Sequence, residues 1–309
     1  MPAFAPAPPM STLLLQLLPI FVYFSLGALL KRSGLADRSH GEFLLRLVFF
    51  VTLPLLILNS VSRTTLDGDT LLLPLVNIAV NVVCIGTMFL LARWQGLSRR
   101  ELGTAIVNTG IHNNSFMFPF VLAVLGEAGF AAAILLDLGN SLWMATVVYL
   151  IAFSFGGSSQ GRWTMLLRVL KSPLLWSLFI SMALAATSTP LPALVSSLTT
   201  PLAQMTAPLI LIALGLYFSF SVARPWLALQ IVGVRMGIGL LTGLTIATLL
   251  GLQGTTFTVV TVMSAAPIGF NALTYSSLAK LDTELSASAV SMAIVLGMIA
   301  TPLLLFWFG

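Results

Sequence analysis

Long apolar runs of about twenty residues, separated by short polar connections, fill this chain from end to end. Read as spans, they cover roughly 11–30, 42–61, 71–92, 102–126, 129–155, 165–186, 200–220, 225–250, 255–279 and 285–308. Twenty apolar residues is about the length one helix needs to cross a bilayer. Backbone N–H and C=O groups in hydrocarbon must be satisfied internally, so spanning structure is helix or closed barrel. Barrel strands would alternate polar and apolar positions over about ten residues, and these runs are continuous. The pattern predicts an all-α polytopic membrane protein of ten transmembrane helices.

Composition agrees: 58% of residues are hydrophobic and 7% charged, where a soluble chain carries about a quarter charged residues. Removing the spans leaves no soluble domain of any size. The Pro- and Ala-rich start, 1–10, has no basic region and is not expected to be a cleaved signal peptide. Cys84 is the only cysteine, which excludes an internal disulfide.

The net charge of +5 reads as an asymmetry across the membrane, not as a nucleic-acid surface. Connections assigned to one side, with the helix ends beside them, hold Lys31, Arg32, Arg38, Arg46, Arg93, Arg99, Arg100, Arg162, Arg168, Lys171, Arg224 and Lys280. The other side holds Arg63 alone, beside Asp67 and Asp69. Basic residues accumulate on the cytoplasmic side, so both termini are expected to face away from the cytoplasm.

Sliding the chain by 154 residues, about half its length, sets Pro19 on Pro173, Pro54 on Pro208 and Phe116 on Phe270. Pro54-Leu-Leu-Ile-Leu then lies over Pro208-Leu-Ile-Leu-Ile. The two halves are 1–155 and 156–309, five spans each. An odd number makes the second half enter from the opposite side, the inverted repeat common in secondary transporters.

Spans four and nine, partners under this shift, are poorly suited to being continuous helices. One reads Asn108-Thr-Gly-Ile-His-Asn-Asn-Ser-Phe-Met-Phe-Pro119 and the other Ser264-Ala-Ala-Pro-Ile-Gly-Phe-Asn271. Proline removes a backbone donor, and polar side chains at this depth need protein or a wet cavity beside them. Asn113 falls on Pro267, so both breaks share one depth. Two broken helices crossing there direct half-helix N-termini at a common point, an arrangement suited to an anion. Prolines that merely kink tight helices, with Asn joining neighbours, are the plainer alternative.

Arg235 lies near mid-membrane in span eight, where an ionisable group is a functional candidate whose partner must be found. Asp137 in span five, or an anionic substrate, would serve. A structural Arg235–Asp137 ion pair is the alternative. Asp137 is also a candidate protonatable group for coupling, and His112, the only histidine inside a span, is a second candidate. Glu127 closes span four and is expected to be solvated. Met88, Phe89 and Trp94 read as an interfacial helix end. There is no metal motif, P-loop or dinucleotide fingerprint, so no cofactor is expected and transport would run on a gradient.

These residues resemble the auxin efflux carrier family, bacterial branch, whose relatives include malate and malonate permeases and the plant auxin carriers. The resemblance covers essentially the whole chain. It is carried by Leu18-Pro-Ile-Phe with Gly27 and Lys31-Arg32, and by Leu47-Val-Phe-Phe-Val-Thr-Leu-Pro54. Asn114-Ser-Phe-Met-Phe-Pro119 running on to Gly126, Ser172-Pro173, and Ala207-Pro208 to Gly215 extend it. Ala266-Pro-Ile-Gly-Phe-Asn271 with Ala279 and Asp282 completes it.

It implies the fold of sodium–bile acid symporters, with a scaffold of helices 1, 2, 6 and 7 and a mobile transport domain of helices 3–5 and 8–10 moving like an elevator. It implies a substrate site at Asn113, Asn114, Pro267 and Asn271, and leaves room for a homodimer through the scaffold. The chain departs from many bacterial relatives in having Met117 and Phe118 where they have glycines, which bears on substrate size. The resulting expectation is a gradient-driven carrier of a small organic anion, a mono- or dicarboxylate. Asn113, Asn114, Ser115, Pro267, Asn271 and Arg235 are its binding candidates, and H+, or else Na+, is the coupling ion. A sodium symporter of a larger amphipathic anion is the alternative within transport. A membrane sensor or structural subunit is the alternative outside it, and an enzyme acting on lipid would need an acid/base or metal cluster that the sequence does not offer.

Overall fold

The computed structural model describes residues 10–63, 68–156, 170–217 and 223–309. Asp67, Arg162, Arg168, the start of the span read over 165–186 and the last residues of that over 200–220 lie outside the described residues. All regular structure among the described residues is helical. The elements are α1 (Met10–Arg32), α2 (Arg38–Leu47), α3 (Leu53–Val61), α4 (Gly68–Trp94), α5 (Arg99–Thr109), α6 (Asn114–Trp143) and α7 (Tyr149–Gly156). They continue as α8 (Pro173–Ala186), α9 (Ala193–Gln204), α10 (Thr206–Tyr217), α11 (Pro225–Val232), α12 (Gly239–Leu249), α13 (Gly254–Ser264), α14 (Asn271–Leu278) and α15 (Thr283–Phe308). Among the described residues, seven continuous helical stretches are long and apolar enough to cross a membrane, and Pro173–Ala186 and Gly254–Ser264 are shorter apolar helices.

Helix starts follow from their caps. Asp37 accepts from the Ser39 and His40 N–H groups ahead of α2, and the His40 ring reaches back to the Asp37 N–H. The Ser39 hydroxyl, then the His40 ring and both backbone N–H groups, hold the exposed Asp37 carboxyl well below the usual carboxylate range. Ser98 and Glu101 form the same reciprocal box at α5, and Asp282 accepts from the Leu285 N–H at the start of α15. Pro173 and Pro225 sit in first turns, where a missing N–H does no harm.

Three π turns interrupt the helices: Val48–Thr52 between α2 and α3, Met144–Val148 between α6 and α7, and Gly233–Ile238 between α11 and α12. The first directly precedes Pro54, whose ring would clash with the Phe50 carbonyl in a regular α-helix. Widening the turn there relieves that clash.

At 43 residues, the stretch Asn114–Gly156 is about twice what a bilayer requires. It does not run straight. Gly126 has φ 64° and ψ −162°, a region open essentially to glycine alone. Asn114 and Asp137, which a straight helix would hold about 35 Å apart, are hydrogen-bonded at 2.5 Å. The chain therefore folds back at Gly126, and α6 is two arms, 114–125 and 127–143.

Helix packing falls into two groups. In one, α1 lies along α10, and α3 packs on α8 and α9. In the other, α4 packs on α6, α12 on α13 and α11 on α15. α6 also touches α3, α10 and α1, and so joins the groups. α1 and α10 meet backbone to backbone: a Cβ on Gly27 would lie 2.1 Å from the Ile212 carbonyl oxygen, and one on Gly215 2.2 Å from that of Phe24. Without a hydrophobic force between helices in lipid, such close approach is what holds them.

At one end of the bundle, Arg99 donates to the Ser154 carbonyl, Arg100 to those of Lys280 and Leu281, and Arg224 pairs with Glu101. At the other end, beyond α2 and α3, Arg63 lies 3.5 Å from Glu127 and donates to the Ser196 hydroxyl. Glu127 is half-exposed and paired, not simply solvated.

Candidate functional site

The site is built where two helices stop short. α5 ends at Thr109 and the chain resumes as α6 at Asn114; α13 ends at Ser264 and resumes as α14 at Asn271. The two interruptions face each other through an antiparallel bridge between His112 and Ile268. The Asn113 N–H donates to the Pro267 carbonyl at 2.8 Å, and the Gly269 N–H to that of Ile111 at 3.0 Å. Backbone groups freed by the breaks thus satisfy one another, as they must in a buried setting. Asn113 then caps α6, its Oδ1 accepting the Phe116 N–H at 3.1 Å.

Neutral amides brace the crossing. The Asn140 side chain holds the His112 backbone from both sides, accepting its N–H at 3.2 Å and donating to its carbonyl at 3.5 Å. Asn140 also donates to Asp137 Oδ1 at 3.3 Å, beside the Asn114 bond to the same oxygen. On the far side, Asn77 Nδ2 lies 3.5 Å from His112 Nδ1, and Asn81 donates to Asn77 Oδ1 at 2.9 Å. Arg235, fully buried on its π turn, donates from Nη1 to Asn81 Oδ1 at 3.2 Å and to the Thr109 carbonyl at 3.0 Å. Its Nη2 donates to the Ser264 carbonyl at 2.8 Å. One polar chain therefore runs from Asp137 through the crossing to Arg235.

Asp137 opens onto a cavity of about 320 Å³ between the two helix groups. Asn271, Ser141, Ser172 and Tyr275 share its wall, and the rest is apolar, including Phe49, Leu53, Ile57, Phe118, Ile134 and Leu178. Tyr275 donates from its hydroxyl to the Met144 carbonyl on the second π turn. Two buried amide atoms beside the cap, Asn113 Nδ2 and Asn114 Oδ1, have no partner among the described residues.

Of the residues singled out in the sequence, the structure brings Asp137 and Asn271 to the cavity wall, and Asn114 lies buried behind it, bonded to Asp137. His112, Asn113 and Pro267 lie buried in the crossing. Ser115 is exposed and stands outside the lining. Arg235 and Asp137 do not form the ion pair weighed from the sequence: Arg235 bonds carbonyls and Asn81, and Asp137 bonds two amides. Of the two bulky residues before Pro119, Phe118 lines the cavity, packed edge-on against Phe130, while Met117 is buried and receives the Thr301 hydroxyl.

Sequence reasoning missed Asn77, Asn81 and Asn140. Their signal was present: Asn77 and Asn81 are one helical turn apart in an apolar span, Asn140 is one turn past Asp137, and Asn81 stands 154 residues before Arg235. No three His, Cys, Asp or Glu side chains cluster among the described residues in a way that could hold a metal ion.

Residues 12–305 match the family described as membrane transport protein. An uncharacterized transporter of Methanothermobacter thermautotrophicus is 26% identical over 291 residues, covering 93% of this chain and 95% of the relative. An uncharacterized transporter of Methanocaldococcus jannaschii is also 26% identical, over 295 residues, 91% of this chain and 93% of that one. The chain belongs to the membrane transport protein family, the auxin efflux carrier family that its motifs resemble.

Proposed function

From that membership, we propose that the protein is a secondary carrier of a small organic anion, a mono- or dicarboxylate, seated where the broken helices cross. One observation carries the reading: a single cavity wall holds Asn271 at the start of α14 together with Asp137, which is bonded to Asn114 at the start of α6. A helix N-terminus is worth roughly half a positive charge, so two of them suit one carboxylate. Asn113 Nδ2, a buried donor without a partner among the described residues, is a group that a carboxylate or a water would satisfy.

The volume is at the lower end of small-molecule sites. Its largely apolar wall, Phe118 included, favours a carboxylate with an apolar body over a dicarboxylate, and keeps the larger amphipathic anion as the second reading.

Asp137 supplies the coupling. Charged, it cancels the positive ends of the two helices and repels an anion; protonated, it leaves them free. Anion and proton then arrive together, which makes the carrier a proton symporter.

The same reading places ten spans in two inverted halves, with α1–α3 and α8–α10 as scaffold and the other helices as the moving unit. Under a two-fold operation, a residue touches its own repeat mate only near the axis. Asn113 with Pro267, and Asn81 with Arg235, are such mates in hydrogen-bonded contact. The cavity between the helix groups is where an elevator motion would carry a substrate from one side to the other. The basic end would face the cytoplasm of a bacterial inner membrane, with both termini outside.

Counterflow in proteoliposomes tests this without a guess at the driving ion. Vesicles loaded with an unlabelled mono- or dicarboxylate should transiently accumulate the labelled one. Asn271→Ala, losing a hydrogen bond to a charged ligand of about 1.5–3 kcal/mol, should weaken binding by roughly ten- to a hundredfold. No accumulation of any anion in a broad panel would overturn the reading.

A further inference from the structure

Arg235 is wholly buried. The ion pairs found among the described residues, Arg63–Glu127 and Arg224–Glu101, and the His40–Asp37 contact do not include it. An isolated charge in such a place is strongly unfavourable, so its compensation must come from elsewhere. Its Nη1 and Nη2 donate to the carbonyls of Thr109 and Ser264, which are the last residues of α5 and α13. These are the C-terminal ends of both broken helices. Each C-terminus carries about half a negative charge, so the pair together balances one cation.

The place is shaped for the guanidinium. Arg235 sits on the π turn Gly233–Ile238, and a Cβ on Gly239 would lie 2.5 Å from its Nη2 and 2.2 Å from the Ser264 carbonyl oxygen. Asn81 Oδ1 adds a third oxygen. Half-helix C-terminal ends and unwound carbonyls at a transporter midplane are the groups that elsewhere coordinate a coupling cation.

We propose that Arg235 is the resident cation of this carrier: it is tethered between the C-terminal ends of the two broken helices, where an alkali ion would otherwise bind, and transport therefore needs no sodium. A second cation at these oxygens would meet the guanidinium at contact distance. The inference also separates two functions at the crossing. Asn271 at the start of α14 lines the cavity and Asn114 at the start of α6 bonds Asp137 in its wall, while the C-terminal ends are permanently neutralised by Arg235. Arg235 is then a positioning residue for the crossing and not a substrate ligand. Only the transport arm of its test rests on the carrier reading.

The first arm needs no substrate. Thermal unfolding of the purified full chain in detergent is followed while choline chloride is replaced by sodium chloride at constant ionic strength. A ligand that binds the native state raises Tm. Wild type should show no sodium-dependent rise, and Arg235→Ala should unfold at a lower Tm that methylguanidinium or sodium partly restores. Should Arg235→Ala fail to fold, Arg235→Lys, which keeps the charge but reaches fewer oxygens, should fold, unfold at a lower Tm than wild type, and remain insensitive to sodium.

A saturable sodium-dependent rise in the wild-type Tm would overturn the proposal, as would an Arg235→Ala variant as stable as wild type. In the second arm, wild-type counterflow should proceed equally in sodium and choline media, and loss of transport without sodium would overturn the proposal as well. If no substrate is found, the carrier reading fails while the unfolding arm still decides the role of Arg235.

Discussion

One oxygen of Asp137 receives both Asn114 and Asn140, and the side chain faces the cavity. Asparagine in its place preserves the size and one acceptor but cannot exchange a proton. Asp137→Asn should therefore abolish accumulation driven by an imposed pH gradient while counterflow persists, a split that labelled uptake in proteoliposomes resolves. Loss of both activities alike would make Asp137 a structural residue. Asp137 and Arg235 were legible in the sequence because ionisable groups are rare in apolar spans. What they touch was not legible. Opposite charges suggested that they pair, yet neutral amides and helix-end carbonyls satisfy each of them. Such partners carry no charge by which a sequence pattern could reveal them, and Asn81 and Asn140 reach the network from other turns and other spans.

Among the elements, the two interrupted helices were the most legible, since Pro267 and the polar run His112–Ser115 suit a continuous apolar helix poorly. The reversal at Gly126 was read only as a span boundary. Its backbone conformation makes it a required glycine, and Gly126→Ala should destabilise the protein by roughly 1–3 kcal/mol, seen as a lower Tm in detergent. The glycines between α1 and α10 make a separate prediction. Gly27→Val would drive a side chain into the Ile212 carbonyl and should separate these helices, so that the purified protein loses its monodisperse peak on size exclusion. Alanine there, whose Cβ meets the same carbonyl, should show a weaker form of the same defect. The π turns were not legible. One lies just before Pro54, one begins at Met144, whose carbonyl receives the Tyr275 hydroxyl, and one carries Arg235.

At the scale of the molecule, α6 connects the two helix groups, and Arg63 at the end of α3 reaches Glu127 just past its reversal. If the groups slide past one another, this contact must part. In a chain carrying Arg63→Cys and Glu127→Cys, a short bifunctional thiol reagent should arrest transport, and a reductant-cleavable version should restore it. Undiminished transport after complete cross-linking would exclude the sliding motion. Cys84 is buried and should not react. The basic ends of the helices have a further consequence. Arg99, Arg100 and Lys280 gather at one end beside the Arg224–Glu101 pair, while at the opposite end Arg63 is paired with Glu127. In a carrier of anions, the field of the first end would concentrate diffusing substrate and quicken its capture. Its reach is only about 8 Å at physiological ionic strength. Added salt should therefore slow entry from the basic side and leave entry from the other nearly unchanged, so that the protein behaves as a rectifier in dilute buffer and a symmetric carrier in brine.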